Sequence, residues 1–248
     1  MDRLPLPIFF KGLFTRQHRP EKMDDPSLDA SLHFQALRGL ARINQWSRSA
    51  NTVWAAIQTL TCETSECLLR VLDIATGAGD IPIMLWKKAR RAGIFLEIDG
   101  CDKSPQAIQY AQRRAQQSGA QVHFYEHNVM DGKIPLGYDI LISSLFLHHL
   151  SNEEALEFLQ RMAWAARKMI LVNDLVRCVP GLMLAYLGSR VLSRSPVVHT
   201  DSVLSVRSAF NLEEIRSLVQ QAGLMEAQVE SHWPSRFLLT WEKTKNEY

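Results

Sequence analysis

Val71-Leu72-Asp73-Ile74-Ala75-Thr76-Gly77-Ala78-Gly79-Asp80-Ile81-Pro82 decides the fold. Its lead-in, Leu68–Ala75, is mostly apolar and partly β-branched, which predicts a short buried strand. Thr76-Gly77-Ala78-Gly79 breaks that run, and Ile81–Ala89 resumes at helical spacing. Strand, glycine turn and helix open an α/β sheet whose ligands sit beyond the carboxyl ends of the strands. Backbone without Cβ can turn sharply and admit a ligand closely, and the helix start offers unpaired N–H groups. A dinucleotide fingerprint would need a third glycine, whose place Pro82 takes. Asp73 inside the strand suits a cationic ligand better than a pyrophosphate. Other nucleotide-binding turns remain open at this point.

Working outward, strands and helices alternate. Ile94–Gly100 reads as a second strand, ending at Cys101-Asp102-Lys103-Ser104-Pro105 before the helical Gln106–Ser118. Ser104 with Pro105 suits the start of that helix, which leaves the Asp102 carboxylate for the vicinal hydroxyls of a ribose. Gln121–Tyr125, Tyr138–Ser144 and Met169–Asn173 continue the strands, with Asn173 and Asp174 as polar candidates at the fifth tip. Ser151 with Glu154 and Asn211 with Glu214 read as capping boxes for helices Asn152–Arg167 and Phe210–Gly223. Ala227–Ser231 and Phe237–Glu242 predict a closing antiparallel pair.

The Asp-x-x-x-Gly-x-Gly run resembles the first motif of class I S-adenosylmethionine (SAM) dependent methyltransferases. Tyr138-Asp139-Ile140 with Leu147-His148-His149-Leu150 is similar to a run in the small-molecule members, including the ubiquinone/menaquinone methyltransferase group. The resemblance covers Val71–Lys243. It implies a Rossmann-like, seven-stranded, mostly parallel sheet with helices on both faces and an antiparallel C-terminal hairpin. It implies SAM as cofactor, bound through Asp73, Ala75, Gly77, Gly79, Asp102, Lys103, Asn128, Val129 and Ser143, with Asn128 and Val129 at the adenine. The N-terminal helices and Asn173-Asp174-Leu175-Val176-Arg177…Ser193-Arg194-Ser195-Pro196 resemble a bacterial subgroup that accompanies polyketide or phenolic-lipid enzymes. That points to an aromatic or polyketide-like hydroxyl as acceptor, with carbon methylation of a quinone precursor as the alternative.

The organisation expected is an irregular arm over 1–25, a helical cap over 26–66, and the methyltransferase domain over 67–248, with a lid insertion at 175–209. In the cap, apolar residues recur from Phe34 to Leu60; Asp29 or Ser27 would cap the first helix, and Ser49 or Asn51 the second. Arg38, Arg42 and Arg48 read as solvated. The lid carries an apolar face (Leu182, Met183, Tyr186, Leu187, Val191, Leu192), fit for an apolar or aromatic acceptor or for an oligomer contact.

At 248 residues, 46% hydrophobic and 22% charged, the chain has the composition of a globular protein with a sizeable core. A net charge of +2 is too small to argue for nucleic acid on its own, and none is expected as partner. Cys62, Cys67, Cys101 and Cys178 show no metal-ligand spacing and read as reduced thiols of a cytoplasmic protein, with no metal expected. The longest apolar run, Val179–Leu187, is too short to span a bilayer, while Leu4–Phe10 could touch a membrane surface weakly.

SAM carries an already activated methyl group, so the protein must align the acceptor, exclude water and remove a hydroxyl proton. His148 and His149 follow the fourth strand, where acceptor and methyl would meet, and are the candidate base; His199 on the lid is second. Two rival classes are a nicotinamide-dependent oxidoreductase and a non-catalytic SAM-binding accessory protein.

Overall fold

Alternation at a period of two along the strands builds the core. The computed structural model describes residues 13–25, 27–62 and 68–243. The strands are β1 (Leu69–Ile74), β2 (Leu96–Asp102), β3 (Val122–Glu126), β4 (Ile140–Ser144), β5 (Met169–Leu175), β6 (Gln228–His232) and β7 (Arg236–Glu242). They form one sheet in the order β3-β2-β1-β4-β5-β7-β6, parallel except for β7 against β5 and β6. Leu72, Leu141, Ile170, Val172 and Leu239 face one apolar cluster, while Val71, Ile140, Ile142, Leu171 and Leu238 face another. A helical layer on each face accounts for both clusters.

The helices are α1 (Ala30–Trp46), α2 (Ser49–Cys62), α3 (Asp80–Ala92), α4 (Pro105–Ser118), α5 (Asn152–Ala165), α6 (Val179–Leu192), α7 (Pro196–Ser208) and α8 (Leu212–Gln221). Helices α5 and α8 open on the two expected capping boxes, and Ser104 caps α4 ahead of Pro105. Asp29 caps α1. Ser49 is already the first residue of α2, and its hydroxyl accepts a hydrogen bond from the Arg236 guanidinium. The fifth strand runs on through Leu175, so Asn173 and Asp174 lie inside it.

The insertion after β5 folds as α6 and α7. Val197 and Val198 of α7 pack on Ala36 of α1, with Met23, Leu40 and Ile43 alongside. Residues of both helices line a cavity together with Leu145, Leu175 and Arg236, at the ends of β4 and β5 and the start of β7. Residues 13–25 form a largely irregular strap that packs on the rest of the chain. The Lys22 and Met23 backbone N–H groups donate to the Asp201 carboxylate at 3.1 and 3.0 Å. Arg16 donates to the carbonyls of Ser208, His148 and Leu150, and Gln17 N–H to the Arg207 carbonyl. The apolar patch Leu4–Phe10 and the side chains of Cys62 and Cys67 lie outside the described residues. Among the described residues, no helix is long and apolar enough to cross a membrane.

The turn after β1 bends through Ala75, Gly77 and Gly79 at φ of 56°, 53° and 66°. A Cβ on Gly79 would sit 2.7 Å from the Phe124 ring and 2.9 Å from Ala111 Cβ. Gly79→Ala should therefore lower stability by roughly 2–4 kcal/mol, left-handed backbone strain and overpacking acting together. Urea unfolding checks this; an unchanged midpoint would contradict the packing described.

Candidate active site

The turn after β1 lies against the tip of β2. Gly77 N–H donates to Asp102 Oδ2 at 2.8 Å, and Ser104 N–H to Asp102 Oδ1 at 2.9 Å. Two backbone donors thus fix the carboxylate at the sheet's edge. Gly77 has nothing within 4 Å of where a Cβ would stand, so this side of the turn is open to a ligand. Asp73 is buried, accepts from the Thr76 hydroxyl at 2.6 Å through Oδ2, and leaves Oδ1 without a partner. Burial pushes its carboxyl up to about 8, against the Thr76 hydrogen bond. The hydroxyls of Ser143 and Ser144, in the strand beside β1, are also buried and unpartnered.

Unpaired acceptors and hydroxyls gathered beside a glycine turn suit a ligand that brings donors of its own. The amino group and ribose hydroxyls of SAM are donors, so these residues fit that cofactor. Lys103 is exposed, Val129 is buried, and Asn128 is bound locally, donating to Asp131 and accepting from Met130 N–H. That local pairing makes Asn128 a turn residue here, and its adenine contact does not follow from the structure.

A cavity of about 140 Å³ opens beyond β4, β5 and β7. Its walls are mainly apolar, from Met23, Leu40, Ile43 and Trp46 to Leu145, Leu175, Leu184 and Leu192. Its polar points are Glu21, His148, His149, Asp201, several serines and Arg236.

His148 sits on the short 3₁₀ turn Leu147–His149 and is buried. Its Nδ1 lies 2.6 Å from Asp174 Oδ1, and its backbone N–H donates to Asp174 Oδ2 at 3.2 Å. Its Nε2 lies 3.5 Å from Glu21 Oε1 on the strap. Burial works against the charged imidazole, but Asp174 and Glu21 outweigh it and push His148 up to about 10. Burial likewise opposes the two carboxylates, yet the facing histidine holds both below the usual range.

His149 stacks on His148 at 4.3 Å between ring centres and is 4.0 Å from Glu21 Oε2. Glu21, His148 and His149 bring their ligand atoms within 4.8 Å of one another, the one such group among the described residues. With both ring nitrogens of His148 facing carboxylates, that cluster is built to hold a proton.

The expected histidines therefore meet at the cavity, and Asp174 orients His148. His199 does not join them: its Nε2 pairs with the Ser193 carbonyl at 2.7 Å. Arg38, Arg42 and Arg48 are exposed as expected. Glu21 and Arg236 are site residues that sequence reasoning missed. Glu21 lies in a polar stretch with no periodicity, and Arg236 stands one residue ahead of the expected last strand, like any surface arginine.

Residues 71–168 match a family model described as a methyltransferase domain. Demethylmenaquinone methyltransferase of Thermus thermophilus is 31% identical over 106 residues, 42% of this chain and 46% of that protein, so the chain spans under half of that relative's length. Magnesium protoporphyrin IX methyltransferase from Synechocystis, solved with bound S-adenosylhomocysteine (SAH), superposes at a TM-score of 0.56, with 16% identity over 96% of this chain and 94% of that one. An O-methyltransferase family 2 protein from Planctomyces limnophilus, in complex with apigenin, superposes at 0.52, with 18% identity over 71% and 50%. Glycine turn, acid-tipped second strand and sheet order agree with these likenesses: residues 71–168 are similar to a methyltransferase domain, and the chain has the fold of the solved methyltransferases.

Proposed function

We propose that the protein transfers the methyl group of SAM to the hydroxyl of a small aromatic or polyketide-like acceptor held in the cavity under α6 and α7. The observation that carries this reading is the buried Asp174–His148 pair on the wall of a mainly apolar cavity, beside the ends of β4 and β5. In this reading 26–66 is a cap, 67–248 the catalytic domain and 175–209 its lid.

The bound cofactor supplies an electrophilic methyl on a sulfonium. Asp102, fixed by two backbone N–H donors, accepts from the ribose hydroxyls, and Gly77 lets the cofactor approach the turn. Ala75 and Gly79 shape that turn, Asp73 and Ser143 offer polar atoms with no partner among the described residues, and Lys103, Asn128 and Val129 follow the tips of β2 and β3.

The acceptor hydroxyl takes the place of the Glu21 carboxylate against His148 Nε2. Asp174 keeps Nδ1–H pointed at itself, so the free lone pair of the neutral ring is on Nε2. With SAM bound, His148 Nε2 would take the hydroxyl proton while the hydroxyl oxygen receives the sulfonium methyl group and SAH leaves. His149 stacks on the ring from the side, and the strap and lid keep water away.

A second reading rests on the match to demethylmenaquinone methyltransferase: the same deprotonation would activate a ring carbon next to a phenolic oxygen. Incubating the protein with methyl-labelled SAM and an extract of its host, then locating the label on oxygen or carbon, tests both. Tight binding of a nicotinamide dinucleotide with no binding of SAM or SAH would refute both.

Asp102→Ala should weaken SAH binding by roughly 10- to 100-fold in calorimetry, the loss expected for hydrogen bonds to a charged group. An unchanged affinity would remove Asp102 from the cofactor site.

Rate should follow the neutral fraction of His148, rising with pH through a value that Asp174 and Glu21 hold high. Glu21→Gln removes one of those charges from the free enzyme, so the rising limb of the kcat/KM profile should move to lower pH. Asp174→Asn should instead cost about 10²- to 10⁴-fold in kcat by losing the ring's orientation as well. A pH profile unmoved by Glu21→Gln would exclude His148 as the group that titrates.

A further inference from the structure

Arg236 opens β7, directly opposite Leu175 at the end of β5, and its side chain forms part of the cavity wall. It is 2% exposed. Its guanidinium donates to the Ser49 hydroxyl and to Asn44 Oδ1, both neutral, and among the described residues its Nε has no acceptor. Among the described residues no carboxylate forms an ion pair with it. Asp174 and Asp80 act on it from farther away, and each is engaged elsewhere: Asp174 with His148, Asp80 with Asn44. Buried arginines almost always pair with an anion, and the planar guanidinium fork matches a carboxylate edge. Here the described residues supply the fork, the cavity and the apolar walls, but no carboxylate paired with Arg236.

We propose that Arg236 anchors a carboxylate of the methyl acceptor, so that the acceptor is an aromatic hydroxy acid held by its hydroxyl at His148 and by its acid group at Arg236. Burial lowers the guanidinium to about 10, which leaves it cationic at neutral pH and ready for such a partner. Leu40, Ile43, Leu145 and Leu184 then cover the ring between the two polar ends. Neutral phenols of the same shape would fill the same walls and leave Arg236 unpaired, which makes the residue a source of selectivity.

This inference rests on the methyl-transfer reading, and its test separates the two. Calorimetry on the SAH-loaded protein compares 3-hydroxybenzoate, its methyl ester and phenol. The acid should bind at least about tenfold more tightly than the ester. Arg236→Gln should abolish that preference and leave SAH affinity within a few-fold, and Arg236→Lys should keep part of it.

Equal binding of acid and ester by the natural protein overturns the proposal, as does no binding of the acid. So does Arg236→Gln weakening SAH while sparing 5′-methylthioadenosine, because the anion held would then be the cofactor's own carboxylate. If Arg236→Gln does not fold, judged by circular dichroism, the acid-to-ester ratio of the natural protein and of Arg236→Lys decides. A protein that prefers the acid yet transfers no methyl would sink the methyl-transfer reading and leave the anchor standing.

Discussion

The imidazole of His148 is clasped between Asp174 from the sheet and Glu21 from the N-terminal strap, and the acceptor side of the molecule is arranged around that contact. A ring so deeply buried would be neutral on its own. Two carboxylates reverse that and make it a cation that ties three segments distant in sequence. The strap has few apolar contacts of its own, so its place over the cavity depends on charge and hydrogen bonds: Glu21 to the histidines, Arg16 to carbonyls, and two backbone N–H groups to Asp201. The contact that sets Glu21 on the cavity wall also favours the charged imidazole, so displacing Glu21 would remove a negative charge from beside Nε2.

Along the same carboxyl edge of the sheet, at the tips of β1 and β2, the constraint is backbone geometry. A left-handed turn at Ala75, Gly77 and Gly79 aims the Gly77 N–H at Asp102. The turn could not close this tightly with a side chain on Gly79, which packs on Phe124 and Ala111. Gly77 has no such neighbour. Its lack of a side chain leaves space rather than allowing protein packing, as expected of a residue facing a ligand.

The fold was legible because it depends on local pattern. Period-two alternation, capping boxes and glycine stops lie within a few residues of one another, and the strand order follows from alternation of strand and helix. The glycine turn after β1 and the acid at the tip of β2 were legible for the same reason, as both lie at strand ends that sequence marks directly. The acceptor side was half legible. His148 and Asp174 each stand at a strand end, but their pairing across β4 and β5 is a register fact, and expecting β5 to stop at Asn173 placed Asp174 outside the strand. Glu21 and Arg236 depend on tertiary placement alone. A glutamate in an irregular strap and an arginine before an apolar run carry no periodic mark, and burial is what gives them meaning.

The two sites are joined by helix α1. Asn44 hydrogen-bonds Asp80, the first residue of the helix after the glycine turn, and accepts from Arg236 in the cavity wall. The α1 face that carries Asn44 also brings Leu40, Ile43 and Trp46 to the cavity, while Phe34 stacks on Tyr110 of α4, 5.8 Å between ring centres, next to the β2 tip. One helix ahead of the sheet therefore touches the helix that follows Asp102, the helix that follows the glycine turn and the acceptor cavity. A methyl transfer needs donor and acceptor in line, and loops that moved independently would not hold them so. A single helix in contact with both sites would couple their positions under the proposed methyl transfer, which is a physical reason for α1 to lie across the sheet.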